Sequence, residues 1–210
     1  MRVVTFLAGL ALIVAGLLIV SFGFLSDPKA EAPEVSFLPP PSIELPQGTT
    51  EGPIEVSKAP VVRIEIPALG VEAPVVSLGV LEGGVMESPH TPTDVGWYRF
   101  SAQPGTVGNA VFAGHVDYIN YGPAVFYYLR DLEPGDVIRV MLEDGTAVAY
   151  EVVSSEVYDA DTAPVQEIVG PTDNETITLI TCTGVFDRTA LDYDKRLVVK
   201  GERIAVATLR

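Results

Sequence analysis

Cys182 is the only cysteine in this 210-residue chain, and it closes the run Thr178-Leu179-Ile180-Thr181-Cys182. The chain has two histidines. One of them, His115, follows Gly114 at the end of the apolar run Ala110-Val111-Phe112-Ala113. A thiol attacks a carbonyl as the thiolate, and a free cysteine, with a pKa of about 8.5, is mostly protonated at neutral pH. A histidine within reach supplies the base and later the acid for a departing amine. The oxyanion that forms then needs a donor, and Arg196 offers a permanently charged fork of N–H groups. Arg188, nearer to Cys182 in sequence, is the competing choice. Singly, each residue has a plainer explanation. A lone cysteine is often a small buried hydrophobe, a histidine at a strand end is often a satisfied turn residue, and an arginine there is usually a solvated charge.

These side chains need rigid elements to bring them together, and the surrounding pattern is that of β-structure. Ile177, Leu179 and Thr181 alternate with Thr178, Ile180 and Cys182, as in a half-buried strand that Thr183-Gly184 brings to a stop. Val61 to Ile66 and Val71 to Val76 are β-rich runs separated by the turn Pro67-Ala68-Leu69-Gly70. Glu82-Gly83-Gly84 marks a hairpin turn between Leu78 and Met86, and Glu143-Asp144-Gly145 marks a stronger one between Val137–Leu142 and Thr146–Val153. Gly96 to Arg99 reads as a short helix or packed loop, and Ala124 to Leu132 as a short helix or 3₁₀ turn. A strand over Ser155 to Tyr158 and an irregular stretch, Asp159 to Asn174, precede the Thr176–Cys182 strand. After a polar loop to Lys195, Arg196 to Lys200 and Arg203 to Leu209 read as two strands around a Gly201 turn. About eight short strands with little helix make an all-β fold, and a closed or nearly closed β-barrel is the expected architecture because closure removes exposed edges.

Composition narrows the function classes. At 48% apolar the chain can bury one good core, so one globular domain is expected. A net charge of −15 argues against a nucleic-acid surface, which rests on basic stripes, and against docking on anionic lipid by charge. Val3 to Leu25 is an apolar run with no charge, flanked by Arg2 and Asp27, and about 20 such residues span a bilayer. By the positive-inside rule the N-terminus stays cytoplasmic and the rest faces outward. A cleaved signal peptide ending near Ala30-Glu31-Ala32 is the competing reading; the length of the run and Pro33 directly after it favour an uncleaved anchor. Residues 27–60, with Pro39-Pro40-Pro41, form a stiff extended spacer. The expected division is therefore 1–26 anchor, 27–60 linker and 61–210 β-domain. On these grounds alone the chain is an outward-facing β-domain with a Cys-His site, and a cysteine peptidase, an L,D-transpeptidase and a non-catalytic binding barrel all stay open.

Thr178-Leu179-Ile180-Thr181-Cys182 resembles the T-L-x-T-C signature of sortases, the membrane-anchored cysteine transpeptidases of Gram-positive bacteria. Further segments match that family in order: Arg63-Ile64-Glu65-Ile66-Pro67, Gly96-Trp97-Tyr98, Ala113-Gly114-His115 and Arg196-Leu197-Val198-Val199. The wording of these segments, with Cys182-Thr183-Gly184-Val185-Phe186-Asp187, is most similar to class F sortases of actinobacteria. The resemblance implies an eight-stranded sortase barrel with one or two short helices. It implies His115, Cys182 and Arg196 as the catalytic set, with Thr181 supporting the oxyanion or the substrate, and prefers Arg196 to Arg188 because the family's arginine directly precedes an apolar strand. The implied reaction is attack of Cys182 on the Thr carbonyl of an LPxTG-like sorting signal, then transfer of the thioester to a peptidoglycan-precursor or other amine. The Asp159–Asn174 segment would wall a hydrophobic pocket for the Leu-Pro part, with Ala163, Pro164, Val165, Ile168 and Val169 as suitable residues. Asp27-Pro28-Lys29 lacks the aromatic residue of the lid motif in pilin-building sortases, which favours a single-substrate anchoring enzyme. Glu156, Asp159, Asp161 and Glu167 are read as a solvated acidic surface, so no metal and no cofactor is expected. The expected partners are the sorting signal, the amine and, through residues 1–26, the cell membrane; a monomer with an extracellular catalytic domain and no nucleic-acid partner completes the expectation.

Overall fold

The computed structural model describes residues 57–208, so the anchor expected at 1–26 and all but the last four residues of the linker expected at 27–60 lie outside the described residues. Among the described residues no helix is long and apolar enough to cross a membrane. Residues 57–60 already pack on the domain: Ser57 Oγ donates to Asp144 Oδ2 at 2.5 Å, and the Pro60 carbonyl accepts from the Glu143 N–H at 2.9 Å.

Eight strands close a barrel: β1 (Val61–Ile66), β2 (Val71–Leu78), β3 (Val95–Tyr98), β4 (Gly108–Ala113), β5 (Val137–Leu142), β6 (Thr146–Asp159), β7 (Glu175–Asp187) and β8 (Asp192–Thr208). Around the barrel the order is β1-β2-β3-β4-β7-β8-β6-β5 and back to β1. The expected all-β closed eight-stranded architecture is thus observed. A five-residue helix, α1 (Val165–Val169), interrupts the irregular 160–174 stretch.

The interior follows from alternation. Ile64 and Ile66 of β1, Ile138 and Val140 of β5, Val148 and Tyr150 of β6, and Ile177 and Leu179 of β7 all face inward and are buried around Phe112. In β1 a register shift between Val61 and Arg63 re-phases the strand, so that Val61 joins Ile64 in the core. Tyr150 is satisfied in this apolar interior because its hydroxyl accepts the Gly105 N–H at 3.1 Å.

Two neighbouring pairs are parallel, β2 with β3 and β4 with β7, and parallel partners require crossover connections. The crossover between β2 and β3, residues 79–94, and the 160–174 stretch before β7 both lie over the outer face of the sheet. There Leu78, Tyr98 and Val111 form a second buried cluster with Met86, Val169 and Ile180. This covering on both faces explains why β4 is buried continuously from Gly108 to Phe112.

The structure departs from the sequence expectations at several elements. Gly96 to Tyr98 is part of strand β3, where Gly96 lies against Leu78 with no room for a Cβ. Ser155 to Tyr158 continues β6 without a break. Gly201 does not turn the chain: β8 runs through it with a register shift at Lys200/Gly201, and a Cβ there would stand 2.9 Å from the Glu151 carbonyl oxygen. The loop after Cys182 is shorter than expected, because β7 continues to Asp187 and β8 opens at Asp192. In the Ala124–Leu132 stretch, Leu129–Asp131 is a 3₁₀ turn, as expected.

Candidate active site

The parallel ladder between β4 and β7 runs from Gly108 opposite Glu175 to Ala113 opposite Ile180, so both strands deliver their next residues to the same rim of the barrel. One step further, the Gly114 N–H donates to the Ile180 carbonyl at 3.1 Å, and Thr181 Oγ1 donates to the Gly114 carbonyl at 2.8 Å. The residue before His115 is thereby tied to the residue before Cys182. Gly114 is needed for this approach, since a Cβ would stand 2.6 Å from Phe126 Cδ2 and 2.9 Å from Val125 Cγ1.

The His115 ring is held from two sides. Its Nε2–H donates to the Pro89 carbonyl at 2.7 Å, and Tyr118 packs edge-on with ring centroids 5.1 Å apart. With Nε2–H engaged by that carbonyl, Nδ1 is the ring nitrogen left to exchange a proton. His90, in contrast, is largely solvated, with Nε2 3.8 Å from Glu87 Oε1, and lines no cleft with Cys182.

Cys182 is half-buried. Burial pushes its thiol pKa up, the Arg196 guanidinium opposes that shift, and the Asp192 and Asp117 carboxylates add to it. The resting group at neutral pH is therefore the thiol. Arg196 stands directly across the antiparallel β7–β8 ladder from Cys182. Its Nη1 donates to the carbonyls of Tyr193 and Lys195 at 2.8 and 3.0 Å, and its Nη2 donates to Asp192 Oδ2 at 2.6 Å. Four residues of regular strand span about 13 Å; the Arg196–Asp192 contact is made across a register shift between Tyr193 and Lys195. Arg188 instead falls in the exposed turn between β7 and β8.

Thr181 faces inward, is 3% exposed, and has its hydroxyl proton engaged by Gly114. Its visible contact holds the two strand ends together rather than reaching for an anion.

His115, Cys182 and Arg196 line one cleft of about 500 Å³. Met86 and Pro89 form one wall, Ala163, Val165, Ile168 and Val169 the other, and Ile180 and Val198 the floor. Of the residues expected from sequence to make this pocket, only Pro164 is absent from the lining; it stands at the start of α1 and accepts the N–H of Glu167 at 2.9 Å. A second cavity of about 460 Å³ opens on the far side of His115 and Cys182, lined by Asp117, Tyr118, Asp192 and Tyr193. There Tyr193 Oη donates to Asp117 Oδ2 at 2.5 Å. A half-buried thiol, an imidazole and a tethered guanidinium between two cavities form a set suited to acyl transfer.

Some contributors were not visible to sequence reasoning. Asp192 anchors Arg196 through a bulge that no alternation pattern reveals, and Pro89 acts through its backbone. Asn109, 3% exposed, donates from Nδ2 to the carbonyls of Ile168 and Gly170 at 3.0 and 3.2 Å and accepts from Thr178 Oγ1 at 2.8 Å. It fixes the apolar wall of the cleft to β4 and β7. Of the acidic surface residues noted in sequence, Asp159 pairs with Lys195 at 2.7 Å and Glu156 accepts from Tyr158 at 2.5 Å. Among the described residues no three His, Cys, Asp or Glu side chains are grouped to hold a metal ion.

Comparison with known proteins agrees with this geometry. Residues 64–204 match the family model described as the sortase domain. Among solved structures, sortase C-1 of Actinomyces oris is 27% identical, with a TM-score of 0.55 over 70% of this chain and 75% of its own. Sortase E1 of Streptomyces coelicolor, solved with a tripeptide in its active site, is 25% identical, with a TM-score of 0.54 over 70% of this chain and 90% of its own. Sortase A of Listeria monocytogenes shares the fold at 23% identity, with a TM-score of 0.56 over 72% of this chain and 92% of its own. A sequence search of curated proteins finds no match. With most of its length matched by that one family model, and with an eight-stranded barrel shared with solved members, the chain belongs to the sortase family, whose members are cysteine transpeptidases.

Proposed function

We propose that this protein cleaves an LPxTG-like sorting signal between Thr and Gly and transfers the new acyl group to a cell-wall amine. One observation carries the reading: Cys182, His115 and Arg196 line a single cleft whose long wall is apolar. The Leu-Pro part of a signal would lie against Val165, Ile168 and Val169, with the Thr carbonyl at Cys182. The thiol proton passes to His115 Nδ1 as the sulfur attacks that carbonyl, and Arg196 stabilises the oxyanion. Collapse breaks the C–N bond, His115 gives the proton to the departing Gly amine, and a thioester remains on Cys182. An incoming amine attacks the thioester and loses a proton to His115, which passes it to the departing Cys182 sulfur and so restores the thiol and the starting imidazole. One amide is broken and one formed, so the balance needs no electron carrier.

Within the family we read the chain as class F, on the wording of Cys182 to Asp187 and of the strands around it. The division into anchor (1–26), linker (27–60) and catalytic domain (61–210), the single-pass membrane location with an outward catalytic domain, and the monomeric state belong to the same reading. Incubating the soluble domain with an LPxTG-type peptide library and excess Gly-Gly-Gly, read by mass spectrometry, tests it. Ligated product that vanishes in Cys182→Ala is the expected result. Hydrolysis alone despite abundant amine would point to a peptidase, and no turnover of any peptide would refute the proposal.

A further inference from the structure

Beyond the cleft that holds Cys182 lies a larger concavity of about 650 Å³ that shares Met86, Val165 and Val169 with it. Its remaining apolar lining comes from Val80, Phe100, Ala102, Val107 and Pro171. Among the described residues no charged side chain lines it, in a chain of net charge −15. Val107 is 68% exposed and Phe100 48%, so this surface is open to cover by a ligand rather than sealed by the fold.

We propose that this concavity is a subsite for an apolar side chain about three residues N-terminal to the sorting signal; the proposal rests on the transpeptidase reading above. Position along the sheet sets the register. Asn109, which lines the concavity, stands opposite Thr176 on β7. Thr176 and Cys182 are six positions apart (182 − 176), or about 20 Å at about 3.3 Å per residue. A signal with its Thr at Cys182 has its Leu three residues upstream, about 10 Å along the trough. The remaining ~10 Å is about three further residues of extended chain. Because Met86, Val165 and Val169 line both spaces, the two adjoin, and the second is the next surface a peptide leaving the first meets. An uncharged wall accepts an aliphatic or aromatic side chain and rejects a carboxylate or ammonium, which would lose hydration with no partner.

The test compares kcat/KM for three peptides that share one signal and differ three positions upstream of its Leu: Gly, Leu or Asp. Each is run with the wild-type domain and with Val107→Asp and Phe100→Ala, both changes at exposed positions. The expected result is a gain of about tenfold for Leu over Gly, the low end of what an apolar pocket discriminates, a loss for Asp, and disappearance of the Leu gain in Val107→Asp with the Gly peptide unchanged. Phe100→Ala should reduce the gain in part. Normal turnover with no response to the upstream residue overturns the subsite and leaves the transpeptidase reading standing. An equal loss on Gly and Leu peptides in the variants also overturns it, because a general perturbation does that. Absence of turnover with every peptide overturns the reading and the subsite together.

Discussion

Replacing Asn109 with Ala should loosen the apolar wall of the cleft without touching any reacting group. The side chain makes three buried hydrogen bonds, two to the carbonyls of Ile168 and Gly170 and one from Thr178. Each is worth about 1 kcal/mol net, and a buried group left unpaired costs about 1–3 kcal/mol. The neighbouring concavity reaches Asn109, so water can replace part of what is lost, and the sum falls near 2–3 kcal/mol. At about 3 °C per kcal/mol for a domain of this size, the melting temperature should drop by about 6–9 °C. Two of the three bonds hold α1 and its C-terminal cap residue, so on the proposed mechanism KM for a sorting-signal peptide should rise while kcat, assigned there to Cys182 and His115, changes little. Thr178→Val removes one bond and should cost about 1 kcal/mol. Asn109→Asp keeps the acceptor for Thr178 but sets carboxylate oxygens against two carbonyls, and should cost more than Ala. Urea titration of the three variants, with peptide kinetics on each, reads both effects. An Asn109→Ala domain within about 0.5 kcal/mol of wild type and with unchanged KM would refute this account of the wall.

Alkylation of Cys182 by iodoacetamide should accelerate with pH through a midpoint above the ordinary thiol value, because burial raises it; Asp117→Asn should lower that midpoint and Arg196→Ala should raise it, and a wild-type midpoint below the ordinary value would contradict the assignment. Tyr98 and Tyr150 are both pushed up to about 12 by burial, against about 10 in the unfolded chain. With folded values raised, their contribution, about 2–3 kcal/mol each, is complete below about pH 10 and lost as pH climbs through 12; Tyr98→Phe and Tyr150→Phe should each flatten the alkaline unfolding curve. Gly114→Ala should cost about 1–3 kcal/mol by overpacking against Phe126. It should lower kcat by up to about a hundredfold through displacement of His115, and a variant with normal kcat would show that the close approach is dispensable.

Much of the barrel was legible because its strands obey a period of two. Ile177, Leu179 and Thr181 alternate as a strand with one inward face should, and Glu143-Asp144-Gly145 is the hairpin turn between β5 and β6. Legibility failed where the period is broken or too short to count. β3 is four residues long, and its Gly96 owes its presence to Leu78 on the neighbouring strand, a contact no local window contains. Gly201 looks like a turn residue, yet within β8 its lack of a side chain serves a close approach to Glu151 of β6. Cys182 and His115 stood out by scarcity, and Arg196 by its place directly before the apolar run Leu197-Val198-Val199. The tether from Asp192, the Pro89 carbonyl and the Asn109 strut did not, since each depends on a bulge, a backbone atom or a pairing across the sheet.

The parallel pairing of β4 with β7 also bears on how the protein is made. His115 and Cys182 meet only after the whole β5–β6 hairpin and the stretch behind it have been laid down and folded back. Contacts of such long sequence separation form slowly, so a newly made chain carries its sole thiol for a time with neither burial nor partners. During that interval the sulfur has the acidity of an ordinary cysteine and meets oxidants more readily than it does in the finished barrel. Closing this ladder thus buries the thiol beside its neighbours and ends its most vulnerable period in a single event. Variants that slow β4–β7 docking should accumulate oxidised sulfur even when their final stability is normal.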